Sequence, residues 1–180
     1  YSLVMHTDEY VESEEFIRTL IPILETLEYD IIILPLKKET KTKSYLHYPF
    51  VFKYLFLLFP QLLFACNPFG SPSVFIFKNE LCNGFDESLR WFVDVEWYYQ
   101  FLKKRPKVKI INCKFMSICS DLGYVNSITA SLDVKQLRIH EANLISKKHR
   151  VNNLLFSYVF RFLRLPVKIY EWFLFDRKRS

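Results

Sequence analysis

Apolar and polar positions along this chain fall into blocks with distinct periods. The run Ser2-Leu3-Val4-Met5 is apolar and strand-like, and His6-Thr7-Asp8-Glu9 follows it at once. Ser13-Glu14-Glu15 then opens a stretch, to about residue 28, in which Ile17, Leu20, Ile21, Leu24 and Leu27 recur every three or four residues. That spacing predicts a helix with one buried face, with Ser13 as N-cap and the acids favouring its first turn. Residues 31–34, Ile-Ile-Ile-Leu, read as a second strand, buried on both faces. Strand, acidic turn, helix, strand is the order of an α/β domain with a largely parallel sheet.

Residues 37–43 read as a polar basic loop, and residues 45–66 are apolar and aromatic with Lys53 their only formal charge. Pro49, Pro60 and Gln61 interrupt that stretch, so no apolar run reaches the ~18 residues of a membrane span, and two short packed helices are expected. A turn cluster at residues 67–73 precedes a strand at 74–77, and residues 93–104 read as a helix stopped by Pro106. Residues 108–112 and 115–119 have the look of a hairpin, and a further helix is expected from 133 to about 148.

Composition adds little except in its distribution. The chain has 180 residues, 51% hydrophobic, with only three Gly, which excludes collagenous, linker and disordered classes. No signal peptide precedes the opening strand, and a chain that starts inside a strand is expected to be the C-terminal part of a larger protein. Cys66, Cys82, Cys113 and Cys119 form no C-x-x-C pair, so reduced and mostly buried thiols are expected rather than a zinc site. Residues 1–132 carry 14 basic and 15 acidic groups, whereas residues 133–180 carry 11 and 4. The excess positive charge therefore lies in the tail, which divides the chain into a 1–132 domain and a basic, aromatic 133–180 segment.

Three pieces of sequence carry a family likeness. They are Gly70-Ser71-Pro72-Ser73, then Gly84-Phe85-Asp86-Glu87-Ser88-Leu89, then Val93-Asp94-Val95-Glu96-Trp97-Tyr98-Tyr99. In order and spacing they resemble the C-terminal half of the catalytic domain of family-2 glycosyltransferases, whose fold is GT-A. In that family a G-x-P-S loop, a strand, G-F-D-E-x-L and an acidic pair opening a helix follow one another. Leu3-Val4-Met5-His6-Thr7-Asp8-Glu9 is similar to the strand end that bears the family's D-x-D metal motif, with His6 in place of the first acid and Asp8 on the second. The resemblance covers roughly residues 1–130. It implies a partial GT-A, Rossmann-like α/β domain lacking its N-terminal strands, and an inverting, metal-dependent hexosyltransferase-like enzyme. Its donor would be a nucleotide sugar and its acceptor a glycan or lipid-linked hydroxyl, as in polysaccharide biosynthesis.

These residues also make chemical sense for sugar transfer. A departing diphosphate needs charge stabilisation, which Mg²⁺ or Mn²⁺ held by Asp8, with His6 as a competent second donor, would supply. The acceptor hydroxyl must lose a proton, and Asp94 at a helix N-terminus is the candidate base, because the helix dipole there favours its ionised form. Gly70, Ser71, Pro72 and Ser73 are expected to line the donor pocket, or only to shape a turn. Glu96 and Trp97 complete the substrate-binding set. Glu96 points away from Asp94 on a helix, and Trp97 serves as a sugar platform if exposed and as core if not. No His occurs at 124–129, where some GT-A enzymes supply a further ligand. His140 and His149 are expected to be solvated, and His47 to be a core or interface residue.

Residues 151–175 set Arg161, Arg164, Lys168 and Glu171 on one helical stripe against Leu, Phe and Trp, and Arg177-Lys178-Arg179 ends the chain. This is the make-up of a helix lying on an anionic membrane surface, with packing on the domain as the rival arrangement. No nucleic-acid-binding motif is present. The location expected is cytoplasmic, peripheral to the inner face of the cell membrane. The alternative function is a non-catalytic, membrane-associated adaptor that keeps the fold and has lost the chemistry.

Overall fold

The computed structural model describes residues 1–6, 9–11, 14–39, 44–46, 50–112, 118–121, 134–151 and 162. Among them the chain is mixed α/β. A first sheet holds β1 (Ser2–Leu3), β3 (Ile31–Ile33), β6 (Phe75–Phe77) and β7 (Val108–Ile110), in the order β1-β6-β3-β7. A second holds β2 (Glu9–Val11), β4 (Leu36–Glu39), β5 (Ser44–Leu46) and β8 (Ile118–Asp121), in the order β2-β8-β4-β5. Four α-helices accompany them: α1 (Glu14–Glu25), α2 (Phe50–Leu58), α3 (Val93–Leu102) and α4 (Val134–His149).

The largely parallel sheet is not what forms. β6 lies antiparallel between β1 and β3, and in this sheet only the β3–β7 pair is parallel. The reason is where the chain returns. The Leu34 N–H donates to the Val74 carbonyl at 2.8 Å, so β6 begins beside the end of β3 and must run back. Among the described residues, β7 and β8 do not pair as the expected 108–119 hairpin either. β7 runs parallel to β3, and β8 runs parallel to β4 and antiparallel to β2. Laid alongside residues 31–39 in this way, Ile110, Ile111 and Ile118 are all buried, whereas a hairpin would leave β3 and β4 without those partners.

The core is aromatic because β6 presents alternate Phe side chains to one helix. Phe75 and Phe77 lie on the same side of the strand and meet Trp97, Tyr98 and Phe101 of α3 at ring-centroid distances of 4.5–6.3 Å. Ile76 points the other way and is also buried, so both faces of the strand are covered. On α1 the buried stripe is Phe16 and Leu20, with Ile23 and Leu24 half-buried, while Ile17, Ile21 and Leu27 are exposed. The expected face is thus turned by one position. The helix stops at Glu25 because Thr26 folds back onto the Ile23 carbonyl and Leu27 takes a left-handed backbone (φ 50°).

The apolar stretch resolves as expected into α2 and a 3₁₀ turn, Pro60–Phe64, and no helix among the described residues is long and apolar enough to cross a membrane. Cys66 is half-buried and Cys82 exposed, neither forms a disulfide, and Cys113 lies outside the described residues. Apart from Phe162, the tail beyond residue 151 lies outside the described residues, as do His47 and the 124–129 stretch.

Candidate active site

Three segments meet where β1 and β3 end and β6 begins. The first is the turn between β1 and β2. The Glu9 N–H donates to the His6 carbonyl, and the His6 N–H returns to Glu9 Oε2, both at 3.2 Å. The second is the loop from Asn67 to Ser73. Its shape is set by Asn67, whose Oδ1 accepts the Phe69 and Gly70 N–H groups at 3.0 Å each, and whose amide donates to the Gly70 carbonyl at 2.8 Å. Gly70 adopts φ 84°, open to glycine at little cost. Ser71 caps the 3₁₀ turn Pro72–Val74, and Pro72 and Ser73 are buried beneath it.

The third segment is the first turn of α3, which carries Asp94 and, one turn on, Tyr98. The Tyr98 hydroxyl donates to the Gly70 carbonyl at 2.9 Å and ties helix to loop. A chain of polar groups then links loop and turn. Ser71 Oγ and Ser73 Oγ are 2.7 Å apart, and the Ser73 hydroxyl donates to Glu9 Oε2. With Ser73 donating to the carboxylate, the hydrogen between the two serines belongs to Ser71.

Asp94 feels both ends of the β1–β2 turn. Burial raises its carboxyl pKa from 3.8 to about 6, the nearby His6 opposes this, and Glu9 adds to it. The helix dipole therefore does not prevail, because desolvation of the side chain outweighs it. The group is still mostly ionised at pH 7 and is a stronger base than an exposed aspartate. Tyr98 is fully buried, and burial with Asp94 and Glu9 nearby raises its pKa well above the usual value, so it stays a hydrogen-bond donor.

The sequence-predicted residues thus separate. Gly70, Ser71 and Ser73 are tied to the β1–β2 turn and to the first turn of α3, the segments that carry His6 and Asp94, and Pro72 is buried in that loop. Asp8 lies outside the described residues. Glu9 and Tyr98 belong to the constellation although sequence reasoning gave neither a role there. Glu96 is turned inward. Its carboxylate, 1% exposed, accepts from Lys148 Nζ at 2.7 Å, His149 Nε2 at 3.0 Å and Gln100 Nε2 at 2.7 Å, so it has no surface to offer a substrate. Trp97 is 1% exposed and serves as core rather than platform. Its Nε1 is buried and has no hydrogen-bond partner among the described residues. The exposed aromatic at that place is Phe85, which stacks on the Trp97 ring at 5.1 Å.

Helix α4 holds α3 in place. The Glu141 carboxylate, itself buried, accepts the N–H groups of Arg90 (2.7 Å), Trp91 (3.0 Å) and Phe92 (2.9 Å) just before α3, where Phe92 supplies no side-chain cap. Lys148 bridges Glu96 and Asp86, and this bond with that from Ser88 lowers the Asp86 pKa to about 2. His149, expected to be solvated, is instead packed between Phe64 and Tyr99 against Glu96, and burial lowers its pKa. No local signal marks Glu141, which lies about 50 residues from the amides it caps.

The donors that meet here, imidazole nitrogen and carboxylate oxygen, suit a divalent ion in kind. Among the described residues, however, no three His, Cys, Asp or Glu side chains come close enough together to hold one. The described groups alone do not make a metal site.

No protein-family model matches the chain, and neither the curated proteins nor the solved structures searched contain a match.

Proposed function

We propose that this chain is part of a glycosyltransferase that moves a sugar from a nucleotide-diphosphate donor to a hydroxyl of a glycan or lipid-linked acceptor, with inversion. The observation that carries the reading is the tying of three segments to one place: Tyr98 of α3 donates to the Gly70 carbonyl and Ser73 donates to Glu9, so Asp94 in the first turn of α3 lies within electrostatic reach of His6 and Glu9. Asp94 takes the proton from the acceptor hydroxyl as it attacks. Tyr98 fixes the Gly70 carbonyl, and Ser73, itself bonded to Ser71, holds Glu9, so the donor loop and the β1–β2 turn are tied to the helix that carries that base. A divalent ion belongs to the proposal through Asp8, and no step is assigned to it.

The test uses the complete protein with a panel of nucleoside-diphosphate sugars and reads release of the nucleoside diphosphate with acceptor. Asp94→Asn is expected to lower turnover 10²–10⁴-fold while donor binding persists. Near-normal turnover would remove Asp94 from the chemistry. A second reading, an adaptor without chemistry bound peripherally to the inner face of the cell membrane, is favoured by His6 in place of an acid. Donor-dependent Mn²⁺ binding distinguishes the two, being present for the enzyme and absent for the adaptor.

A further inference from the structure

Two exposed apolar patches stand out on the described surface, and their charge settings differ. On α1, Ile17 and Ile21 lie among Glu14, Glu15 and Glu25, and nothing in the structure indicates what covers them. At the end of α2, Leu58 is 60% and Phe59 48% exposed, with Tyr54 also exposed one turn before Leu58. Their surroundings are basic. The Arg105 guanidinium donates to the carbonyls of Leu57 (3.0 Å) and Leu58 (2.7 Å), which pins the Lys103-Lys104-Arg105 turn against this helix end. Among the described residues none of those three cations forms an ion pair with an acid and all are exposed; Lys103 lies over the Tyr99 ring at 5.7 Å, and Lys104 Nζ donates to the Leu81 carbonyl (3.5 Å) and Asn83 Oδ1 (3.4 Å), neutral partners that leave its charge uncompensated. On the other side His149 stacks on Phe64, in the 3₁₀ turn that follows α2, which brings up the basic end of α4 with exposed Lys147 and Arg150. From there the chain continues into its basic, aromatic last 29 residues, 152–180.

Large apolar side chains rimmed by cations suit one environment. The apolar groups enter the acyl boundary of a bilayer while the cations meet anionic headgroups. We propose that Leu58 and Phe59, with the Lys103-Lys104-Arg105 turn pinned against them, form a membrane-insertion patch whose occupant is an anionic bilayer. The patch is built on the folded domain and adds to whatever the tail contributes. It does not depend on the transferase reading, since an adaptor would use it equally.

Flotation of the full chain with phosphatidylcholine vesicles, with and without 30% phosphatidylserine, tests this. The wild-type chain is expected to bind the anionic vesicles and to bind the neutral ones weakly. Lys103→Gln with Lys104→Gln removes two charges at about fivefold each, so partition falls about 25-fold on anionic vesicles only. Leu58→Ser with Phe59→Ser lowers partition about tenfold or more. Both double variants keep the wild-type thermal midpoint, because the side chains replaced are exposed. Partition within twofold of wild type in either double variant overturns the proposal, as does a wild-type chain that ignores anionic vesicles. A lowered midpoint in Leu58→Ser, Phe59→Ser also overturns it, because those side chains would then be covered by the protein itself.

Discussion

Lys53 is a cation in the wrong solvent, and the consequence is measurable. Its side chain is 2% exposed on α2, and its ammonium donates to the Leu34 carbonyl at 3.2 Å. Burial lowers its pKa from 10.5 to about 8. At about 1.4 kcal/mol for each tenfold change in proton affinity, holding the charge inside costs about 3 kcal/mol at pH 7. Between pH 8 and 10.5 the folded chain sheds this proton while the unfolded chain keeps it. Stability therefore rises with pH across that window, and the cost is fully present below it. Lys53→Met keeps the stem and deletes the charge, but leaves the Leu34 carbonyl without that donor, a loss of about 1 kcal/mol. The variant should be about 2 kcal/mol more stable at pH 7, and the difference from wild type should vanish or reverse by pH 10. Urea unfolding followed by tryptophan fluorescence at pH 7, 9 and 10 reads both. A variant less stable than wild type at pH 7, or a pH-independent difference, would refute the reasoning.

Other outcomes follow from the site and its supports. If Asp94 is the base, transfer should rise through pH about 6 and level off above it, and a rate profile with no limb between pH 5 and 7 would contradict the role. Glu141→Ala strips the acceptor from three amides ahead of α3, and a loss of about 3 kcal/mol is expected by urea unfolding, with Glu141→Gln recovering part through its one carbonyl. The Asp86–Lys148 pair stabilises above pH about 4 and is lost as pH falls towards 2. It contributes about 1 kcal/mol after allowance for Lys148 being 43% exposed, so Asp86→Asn should lose that much at pH 7 and nothing at pH 2.

Periodicity reached the elements and stopped short of their partners. α1, α2, α3, β3 and β6 are visible because each is a local pattern, and Val134–His149 matches the last helix to within a residue. The direction of β6 was not visible, since it depends on where residues 34 and 74 meet. The same holds for the false hairpin: Ile110 and Ile118 look like neighbours in sequence, yet β7 and β8 enter different sheets. In the site, the loop at Gly70–Ser73 and Asp94 were legible as motif residues. Glu9 was legible only as the last residue of the strand-end motif, with no role of its own, and its contact with Ser73 spans 64 positions. Glu96, expected in the substrate-binding set, is instead turned inward because spacing from Asp94 says which way it points and not what lies there, whereas Trp97 takes the core place that was one of its two readings.

The antiparallel strand between β1 and β3 also sets a timetable. Neither neighbour can close its ladder until residues 75–77 have left the ribosome. About 40 residues separate them from the three isoleucines of β3, which at 5–20 residues per second is a delay of some two to eight seconds. Through that interval the nascent chain carries three consecutive isoleucines with neither ladder neighbour, β6 nor β7, yet made, an open strand edge of the kind that invites aggregation.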